Sequence, residues 1–480
     1  MISPSLLTWE PLFRADAHAW HNQIVMIDGW MISLDAAAEH GAKNDYFLIV
    51  PEPACCLGCA IGDPFGCIEA FATHPLDQAI GKTRFIGRLI CLTNDQLGYA
   101  YQLRDVTAVP APANESQPSP FTLSRRHFLA TAGMAATLAA CTTGGLPSGT
   151  SQDRRQTIEK VLAETVTVDI HTHAGRVLHN DALEPVAPSM REGGMSAIGL
   201  AMTGDKGTVH LTADRRFEAF RTPEPGELYH RSQYSFERIL ELARRDEMAI
   251  IASAKDFHTG RAGRPGVIVT AEGADFLDTD VDRVDEAYEK YHLRQLQLTH
   301  YRVNTLGDIQ TAAPVHGGLT AFGADVIRRC NRLGIVVDVA HGPFDLVKRA
   351  AEVSSTPLVL SHTSLVDKPG PRSRTINAEH AKLVASTGGV IGIWPISTIF
   401  PDAFAYAKGM ARVADVAGVD HVGVGTDQLG LVAPSVFGDY ADLPQIADAL
   451  LATGFNPEET GKILGGNFTR VFKQCCGDSI

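Results

Sequence analysis

The sequence predicts a (β/α)8, or TIM-like, barrel with a small separate β-rich unit before it. From about Gln156 to Cys476, strand-like and helix-like segments alternate, and this alternation favours a parallel sheet. Eight segments are strand-like, and the length of the region is typical of a closed eight-stranded barrel. The whole chain has 480 residues, of which 45% are hydrophobic and 20% charged, as in a globular protein with more than one domain.

Each predicted barrel strand is a short apolar or β-branched run, which suits a strand buried on both faces. The eight runs are TVTVDI (165–170), MSAIGLAM (195–202), GVIVTA (266–271), RQLQLT (294–299), GIVVDVA (334–340), PLVLS (357–361), GVIGIW (389–394) and HVGVGT (421–426). Helix signals stand between them. Asn377 suits an N-cap and Gly388 the residue after a helix end, while Asn456 and Pro457 begin another helix.

A composition typical of an export signal follows the β-rich unit (residues 1–112). Residues 113–123 are rich in Pro and Ser and predict a flexible linker. In residues 124–141, paired arginines precede a short apolar run, which is typical of a twin-arginine signal, and the last four residues resemble a lipobox. Residues 142–155 suit a tether. We therefore expect export across the cytoplasmic membrane by the twin-arginine route, giving a periplasmic protein or a lipoprotein anchored at Cys141.

The role of residues 1–112 stays open at this point. Four short strand-like runs predict a β-rich fold, and Cys55, Cys56, Cys59 and Cys67 lie close together. Such cysteines could bind a metal or perform thiol chemistry, but a second CxxC pair is missing, and structural cysteines fit equally well. The unit is either half of a true fusion or the product of a translation start placed too far upstream. The net charge of −13 predicts no nucleic-acid partner.

Histidines and carboxylates stand at the carboxyl ends of the predicted barrel strands, where barrel enzymes keep their chemistry. They are His171 and His173 after the first strand, Glu272 after the third, His300 after the fourth, His341 after the fifth, His362 after the sixth and Asp427 after the eighth. Parallel strands bring these ends to one rim. Several imidazoles and a carboxylate that can bridge supply enough donors for two divalent ions, most suitably zinc, and water held between such ions loses its proton near neutral pH.

Longer motifs make residues 156–476 resemble the membrane dipeptidase (renal dipeptidase) family of zinc metallopeptidases. The matching segments are MREGGMSAIG (190–199), AEG around Glu272, LTHYRVNTLGD (298–308), GLTAFGADVIRRCNRLGIVVDVAH (318–341), LSHTS (360–364), Arg374, DHVGVGTD (420–427) and GGNFTRVF (465–472). The resemblance implies a barrel of the metal-dependent hydrolase type that cleaves dipeptides, and a homodimer is a further expectation.

The resemblance also implies a role for each rim residue. His171 and His173 would bind one zinc ion, His341 and His362 the second, and Glu272 would bridge the two. His300 would steady the oxyanion of the substrate, and Arg374 would bind its C-terminal carboxylate through a planar guanidinium fork. Asp427 would orient the nucleophilic hydroxide and pass its proton to the leaving amine.

Two positions depart from the family pattern. The family usually has HxD after the first strand, whereas His173 occupies the acidic position here, and Leu429 stands where a second acid usually follows Asp427. HxH is more typical of other binuclear amidohydrolases that act on cyclic amides, lactones or phosphotriesters. Those enzymes commonly use a bridging carboxylated lysine after the fourth strand, where this chain has His300. A non-catalytic metal-binding lipoprotein is the third alternative.

Three smaller expectations concern residues outside this set. Asp169 precedes the HxH pair and is expected to orient an imidazole. His380 lies beside charged residues in a predicted helix and is expected to face solvent. Cys475 and Cys476 are adjacent near the carboxyl terminus, and a frayed end is expected there.

Overall fold

The computed structural model describes residues 4–13, 17–33, 43–51, 67–77, 81–92, 100–110, 151–178, 182–212, 216–370, 372–431 and 434–478. Among these, no helix is both long enough and apolar enough to cross a membrane. The strands are numbered β1 to β17 in chain order.

The larger unit is a closed barrel of eight parallel strands, as predicted. Its strands are β7 (Val168–Thr172), β8 (Ala197–Thr203), β12 (Gly266–Glu272), β13 (Leu293–Gln297), β14 (Val336–Asp338), β15 (Val359–Thr363), β16 (Val390–Ile393) and β17 (Val422–Val424). β17 pairs with β7, and β8 pairs with both β7 and β12, so the sheet closes. Three short strands lie outside the barrel, namely the hairpin β9 (Val209–Leu211) and β10 (Phe217–Ala219), and β11 (Ala249–Ile250).

Helices follow the barrel strands and shield the outer face of the sheet. They span Ser151–Glu164, Ala187–Gly193, Glu227–Arg245, Phe257–Arg261, Asp282–Tyr291, Ala321–Leu333, Phe344–Val353, Ala378–Ser386, Ala403–Ala417, Leu443–Thr453, Pro457–Gly461 and Asn467–Cys476. The predicted caps are confirmed: the Asn377 side chain accepts the first-turn N–H of its helix, and Asn456 forms a capping box. The first helix begins at Ser151, so the last residues of the predicted tether are helical.

The smaller unit is a β-barrel of its own. Its strands are β1 (Ser5–Leu6), β2 (Ile24–Ser33), β3 (Lys43–Val50), β4 (Ile68–Asp77), β5 (Thr83–Cys91) and β6 (Tyr101–Pro110), and a short helix spans Trp9–Phe13. β2 pairs with both β3 and β5, which closes the sheet. The four predicted strands are confirmed, but β4 was not predicted, because its second half contains polar residues and a proline and gains its strand conformation from pairing with β3.

Several predicted features fall partly or wholly outside the described residues. These are the linker, the twin-arginine signal with its lipobox at Cys141, most of the tether, and three of the four clustered cysteines. The fourth, Cys67, is buried in the smaller unit.

Two of the smaller expectations are wrong. His380 is only 5% exposed, because it shares the inward face of its helix with Ala381 and Val384, and burial lowers its pKa to about 4. The carboxyl terminus is a packed helix rather than a frayed end. Cys475 lies among the apolar residues at the bottom of the barrel, next to Phe472.

Candidate active site

The HxH motif places two imidazoles against each other at the rim of the barrel. β7 runs to Thr172, so His171 lies inside the strand and His173 directly after it. Residues two apart point to the same side of a strand. The two Nε2 atoms are 3.4 Å apart, and both side chains are almost fully buried. The carboxyl end of β7 is held in place by the loop after β17, whose Asp427 donates its backbone N–H to the His171 carbonyl.

A first donor cluster forms around these imidazoles, consisting of His171, His173, Glu272 and Asp427. His173 Nε2 lies 3.2 Å from Oε2 of Glu272 and 3.3 Å from Oδ1 of Asp427. His171 Nε2 lies 3.6 Å from Oε1 of Glu272 and 3.8 Å from Oδ1 of Asp427. Four side chains from three different strand ends therefore converge on one point.

A second donor cluster shares Glu272 with the first and adds His341 and His362. The Nε2 atoms of these two histidines are 3.1 Å apart, and they lie 3.2 and 3.5 Å from Oε1 of Glu272. Glu272 is 2% exposed and belongs to both clusters. Its Oε1 lies near His171 as well as near the two histidines of the second cluster, and its Oε2 lies near His173. The structure thus brings together all five predicted metal ligands, and Asp427 with them.

These spacings fit two divalent ions. Ligands about 2.0–2.1 Å from a tetrahedral ion lie about 3.3–3.4 Å from one another. This spacing falls inside the 3.2–3.8 Å of the first cluster and the 3.1–3.5 Å of the second. Oδ1 of Asp427, which faces the first cluster, is buried without a hydrogen-bond partner among the described residues. Neutral imidazole nitrogens and carboxylate oxygens are a donor set that zinc accepts. The residues present therefore fit a binuclear site.

The outer nitrogens of two ligand candidates are held by neighbouring groups. Nδ1 of His173 lies 3.0 Å from the carbonyl oxygen of Ala201, to which it can only donate. Nδ1 of His362 lies 2.9 Å from the hydroxyl of Ser361. A proton on Nδ1 leaves the lone pair of Nε2 free to face the clusters, as in most metal-binding histidines.

The pKa shifts in the two clusters indicate which side chain holds a proton when no metal ion balances the negative charge of Glu272 and Asp427. Burial works to raise the pKa of Glu272, but the imidazoles of His300 and His171 outweigh it and hold that pKa well below its usual range. Burial lowers the pKa of His171 to about 4. Burial also opposes charge on His173, yet Asp427 and Glu272 raise its pKa to about 10. A metal ion must therefore displace a proton from His173.

The backbone at the rim is strained where two of these side chains leave it. Asp427 and His341 adopt the left-handed conformation, with φ of 48° and 65°, which is uncommon for residues other than glycine. Gly430 packs so closely that a β-carbon there would lie 2.2 Å from Oδ1 of Asp427. Leu429, where the family usually has a second acid, is 50% exposed. Its side chain therefore takes no part in the clusters.

Arg374 forms a cationic wall beside the second cluster. Its side chain is 1% exposed, Nη1 donates to Oε1 of Gln310, and the guanidinium lies 5.4 Å from the ring centre of Trp394. Nε and Nη2 of Arg374 and the indole N–H of Trp394 are buried donors with no partner in the described part of the chain. Buried donors of this kind are costly unless a ligand accepts from them, so the group is suited to a carboxylate.

His300 is positioned by an acid that sequence reasoning missed. Asp205 is 1% exposed and accepts from Nδ1 of His300 at 2.7 Å and from the backbone N–H of Tyr301 at 3.1 Å. Nε2 of His300 then lies 3.3 Å from Oε2 of Glu272. Asp205 follows the end of β8. A search for polar residues just after each predicted barrel strand could therefore have found it. Trp394, directly after β16, was missed in the same way.

Asp169 does not orient an imidazole, contrary to expectation. Its fully buried carboxylate accepts from the backbone N–H groups of His171 and Thr426 and from the hydroxyls of Thr426 and Tyr440. Burial raises its pKa to about 6. Asp169 therefore joins the carboxyl end of β7 to the loop after β17 through hydrogen bonds.

We expect His173→Asp to bind the first-cluster ion more tightly than the wild-type protein and with a weaker dependence on pH. In the wild type the ion competes with a proton whose pKa is about 10, so metal affinity should rise as the pH increases through neutrality. An aspartate is already deprotonated in that range and adds negative charge. Competitive metal titrations at about pH 6 and about pH 8 measure both effects.

The exposed His258→Asp variant is the matched control and should bind metal as the wild type does. His173→Ala should lose first-cluster occupancy. Two ions per chain in His173→Ala would show that His173 is not a ligand.

Comparisons with known proteins agree with this geometry. The model of the family described as membrane dipeptidase (peptidase family M19) matches residues 156–476. Dipeptidase tcpJ of Claviceps purpurea is 30% identical over 250 residues, covering 50% of this chain and 57% of its own length. Dipeptidase 3 of Mus musculus is 27% identical over 240 residues, covering 48% of each chain. The matches therefore span only about half the length of these curated relatives.

Solved structures share the fold of the larger unit. The probable dipeptidase PvdM of Pseudomonas aeruginosa superposes with a TM-score of 0.57 at 17% identity, covering 69% of this chain and all of that one. A metallopeptidase of Rhodobacter sphaeroides, solved with a phosphinate mimic of the dipeptide L-Ala-D-Ala, superposes with a TM-score of 0.56 at 20% identity, covering 65% of this chain and all of that one.

Proposed function

We propose that this chain, which belongs to the membrane dipeptidase family, is a metallopeptidase that hydrolyses the peptide bond of dipeptides with two divalent ions, most suitably zinc. The observation that carries the proposal is the position of Glu272. Glu272 is shared by the two donor clusters. Arg374 lies beside the second cluster and has donors that lack a partner among the described residues. Metal-binding groups and a carboxylate-binding group therefore share one buried site.

Two ions bound at these clusters would polarise a peptide carbonyl and lower the pKa of a bound water molecule. The residues of the chain position the substrate around them. Arg374 and the indole N–H of Trp394 bind the C-terminal carboxylate, which is how a site recognises a peptide that ends one residue after the scissile bond. Gln310 and the Trp394 ring hold the guanidinium in place.

Proton transfer falls to Asp427 and oxyanion binding to His300. Oδ1 of Asp427 is buried within reach of the first cluster and has no hydrogen-bond partner among the described residues, so it can take a proton there and release it to the leaving amine. Asp205 fixes the ring of His300 so that Nε2 points into the site beside Glu272. Burial opposes a charge on His300, but Asp205 and Glu272 raise its pKa and so favour the form with protons on both ring nitrogens. In that form Nε2 is a fixed donor, which stabilises negative charge that develops on a carbonyl oxygen.

An assay with a panel of dipeptides, run before and after chelation, tests the proposal. Hydrolysis should disappear on chelation and return with added zinc, cobalt or manganese, because the nucleophile depends on the bound ions. Hydrolysis of cyclic amides, lactones or phosphotriesters in place of dipeptides would favour the amidohydrolase alternative, which the HxH motif keeps open. Full dipeptidase activity in protein shown to be metal-free by elemental analysis would overturn the metal requirement.

Arg374→Ala should reduce kcat/KM for dipeptides by about 10- to 150-fold, which corresponds to the roughly 1.5–3 kcal/mol of a charge-assisted pair. The loss should be much smaller for the same dipeptides with an amidated C-terminus, since these carry no carboxylate for the guanidinium. Arg372→Ala, in the same loop but partly exposed, is the matched control. Equal losses on free and amidated substrates would show that Arg374 does not bind the carboxylate.

We further propose that the chain is exported by the twin-arginine route and lipidated at Cys141. The paired arginines and the lipobox-like sequence of residues 124–141 support this. Intact-mass measurement of the membrane fraction tests it: a lipidated product starting at Cys141 is expected, and a soluble full-length product would contradict it.

A further inference from the structure

The two units of the chain meet at a buried ion pair. Glu69 lies on β4 of the smaller unit, and Arg216 directly precedes β10 in the hairpin of the larger unit. Nη2 of Arg216 lies 2.6 Å from Oε2 of Glu69, and Nη1 lies 3.2 Å from Oε1. Glu69 is 0% and Arg216 5% exposed. This is the bidentate geometry in which arginine binds carboxylates most specifically.

Glu69 belongs to the outward face of the smaller barrel. Its chain neighbours Ile68 and Ala70 belong to the interior core, and successive residues of a strand point to opposite faces. The hydroxyl of Tyr46 and the side-chain amide of Gln102 also donate to Glu69, at 2.7 Å each. A carboxylate that faces outward and is nevertheless fully buried marks a covered surface, and the arginine that meets it comes from the other unit.

Such a pair is suited to anchoring an interface. A buried carboxylate is costly unless it is paired and hydrogen-bonded, and here each oxygen of Glu69 accepts from the guanidinium and from one neutral donor. Removing one partner of a buried pair leaves the other charge uncompensated. Glu69, held by Tyr46 and Gln102, therefore forms a binding site for a guanidinium on the smaller unit, which we call the Glu69 socket.

The hairpin held by this socket also borders the active site. Phe217, next to Arg216, packs on Tyr301 with ring centres 4.8 Å apart. Tyr301 in turn contacts the ring of His341 at 4.8 Å, and its backbone N–H donates to Asp205. A short chain of contacts thus joins the ion pair to the residues around the metal clusters.

We propose that the smaller unit is a docking module that binds the β9–β10 hairpin of the larger unit through the Glu69 socket and thereby holds the Phe217 wall of the active site. The occupant of the socket is the guanidinium of Arg216. Docking requires both units in one compartment, so it concerns the uncut chain. Export of a product that starts at Cys141, as proposed above, would leave the smaller unit in another compartment, so the docking then concerns the precursor, and the intact-mass measurement shows which form is present.

The test uses the full chain with a protease site inserted among residues 111–150. After cleavage, the two pieces of the wild type should co-elute in gel filtration at micromolar concentration. Arg216→Ala and the nearly isosteric Glu69→Gln should weaken their association on the order of 100-fold, so that the pieces separate. Thermal unfolding of each uncut variant shows that both units remain folded.

Arg221→Ala and Arg84→Ala are the matched controls. Arg221 pairs with Glu227 inside the larger unit, and Arg84 pairs with Asp28 inside the smaller one. Both control variants should co-elute as the wild type does. Separation of the wild-type pieces, or co-elution in Arg216→Ala and Glu69→Gln, would overturn the docking.

A second measurement rests on the proposed function. In uncut Arg216→Ala, KM for a dipeptide should rise several-fold with kcat unchanged, because the contact of Phe217 is with Tyr301 and not with a metal ligand. Unchanged KM in a variant whose pieces separate would overturn the link to the active site. If the wild-type protein hydrolyses no dipeptide, the proposed function is wrong. The docking is then tested by gel filtration alone, which does not depend on activity.

Discussion

Glu272→Gln should abolish dipeptide hydrolysis, by about 10³-fold or more, and reduce bound metal from two ions to fewer than one per chain. Oε1 of Glu272 faces the nitrogens of His341 and His362, while Oε2 faces His173. An amide has one oxygen and no charge, so it cannot serve both clusters or offset two divalent cations. Elemental analysis and the dipeptide assay on the same preparation measure the two effects.

Glu286→Gln is the matched control for this change. Glu286 lies on the helix Asp282–Tyr291, belongs to neither donor cluster, and accepts from the hydroxyl of Tyr229 at 2.8 Å. It should retain two ions and wild-type activity. Two bound ions in Glu272→Gln together with activity within about tenfold of the wild type would show that Glu272 does not bridge.

Asp427→Asn should lower kcat by about 10²–10⁴-fold, the usual contribution of a general acid–base group, with metal content unchanged. Asparagine keeps the size of the side chain and its place in the left-handed backbone, where Asn and Asp are both tolerated. It cannot take up and release a proton. His171, His173 and Glu272 remain to hold the first ion.

Asp420→Asn is the matched control. Asp420 precedes β17, whereas Asp427 follows it, so this variant should leave kcat unchanged. The dipeptide assay is combined with elemental analysis, so that loss of an ion is separated from loss of proton transfer. A kcat within about twofold of the wild type would show that another group carries the proton.

The barrel strands and the ligand positions could be predicted because their signals are local. A strand covered on both faces needs an uninterrupted apolar run, and the eight runs are readable in the sequence. Parallel closure then brings all the carboxyl ends to one rim, which is why residues as distant in the chain as His171 and Asp427 could be grouped before any distance was known. The departure at His173 was also visible, since it is a single residue within a motif.

Other features depend on what a residue packs against. The flanking charges of His380 predicted solvent exposure, but the orientation of its helix turns it inward. The second half of β4 has no strand signal of its own and forms because β3 pairs with it. Asp169 lies next to the ligands in sequence, yet its carboxylate points beneath them to Thr426 and Tyr440.

Hydrophobic periodicity and motif spacing are properties of short segments, so they were enough to predict the fold of the larger unit and the chemical identity of its rim. Three contacts appear only in the folded chain: Glu272 is shared by two clusters, Asp205 holds His300, and Arg216 meets Glu69 of the smaller unit. These contacts join residues far apart in the chain. Their distances follow from how the closed barrel, its loops and the smaller unit pack together, and no local pattern encodes that packing.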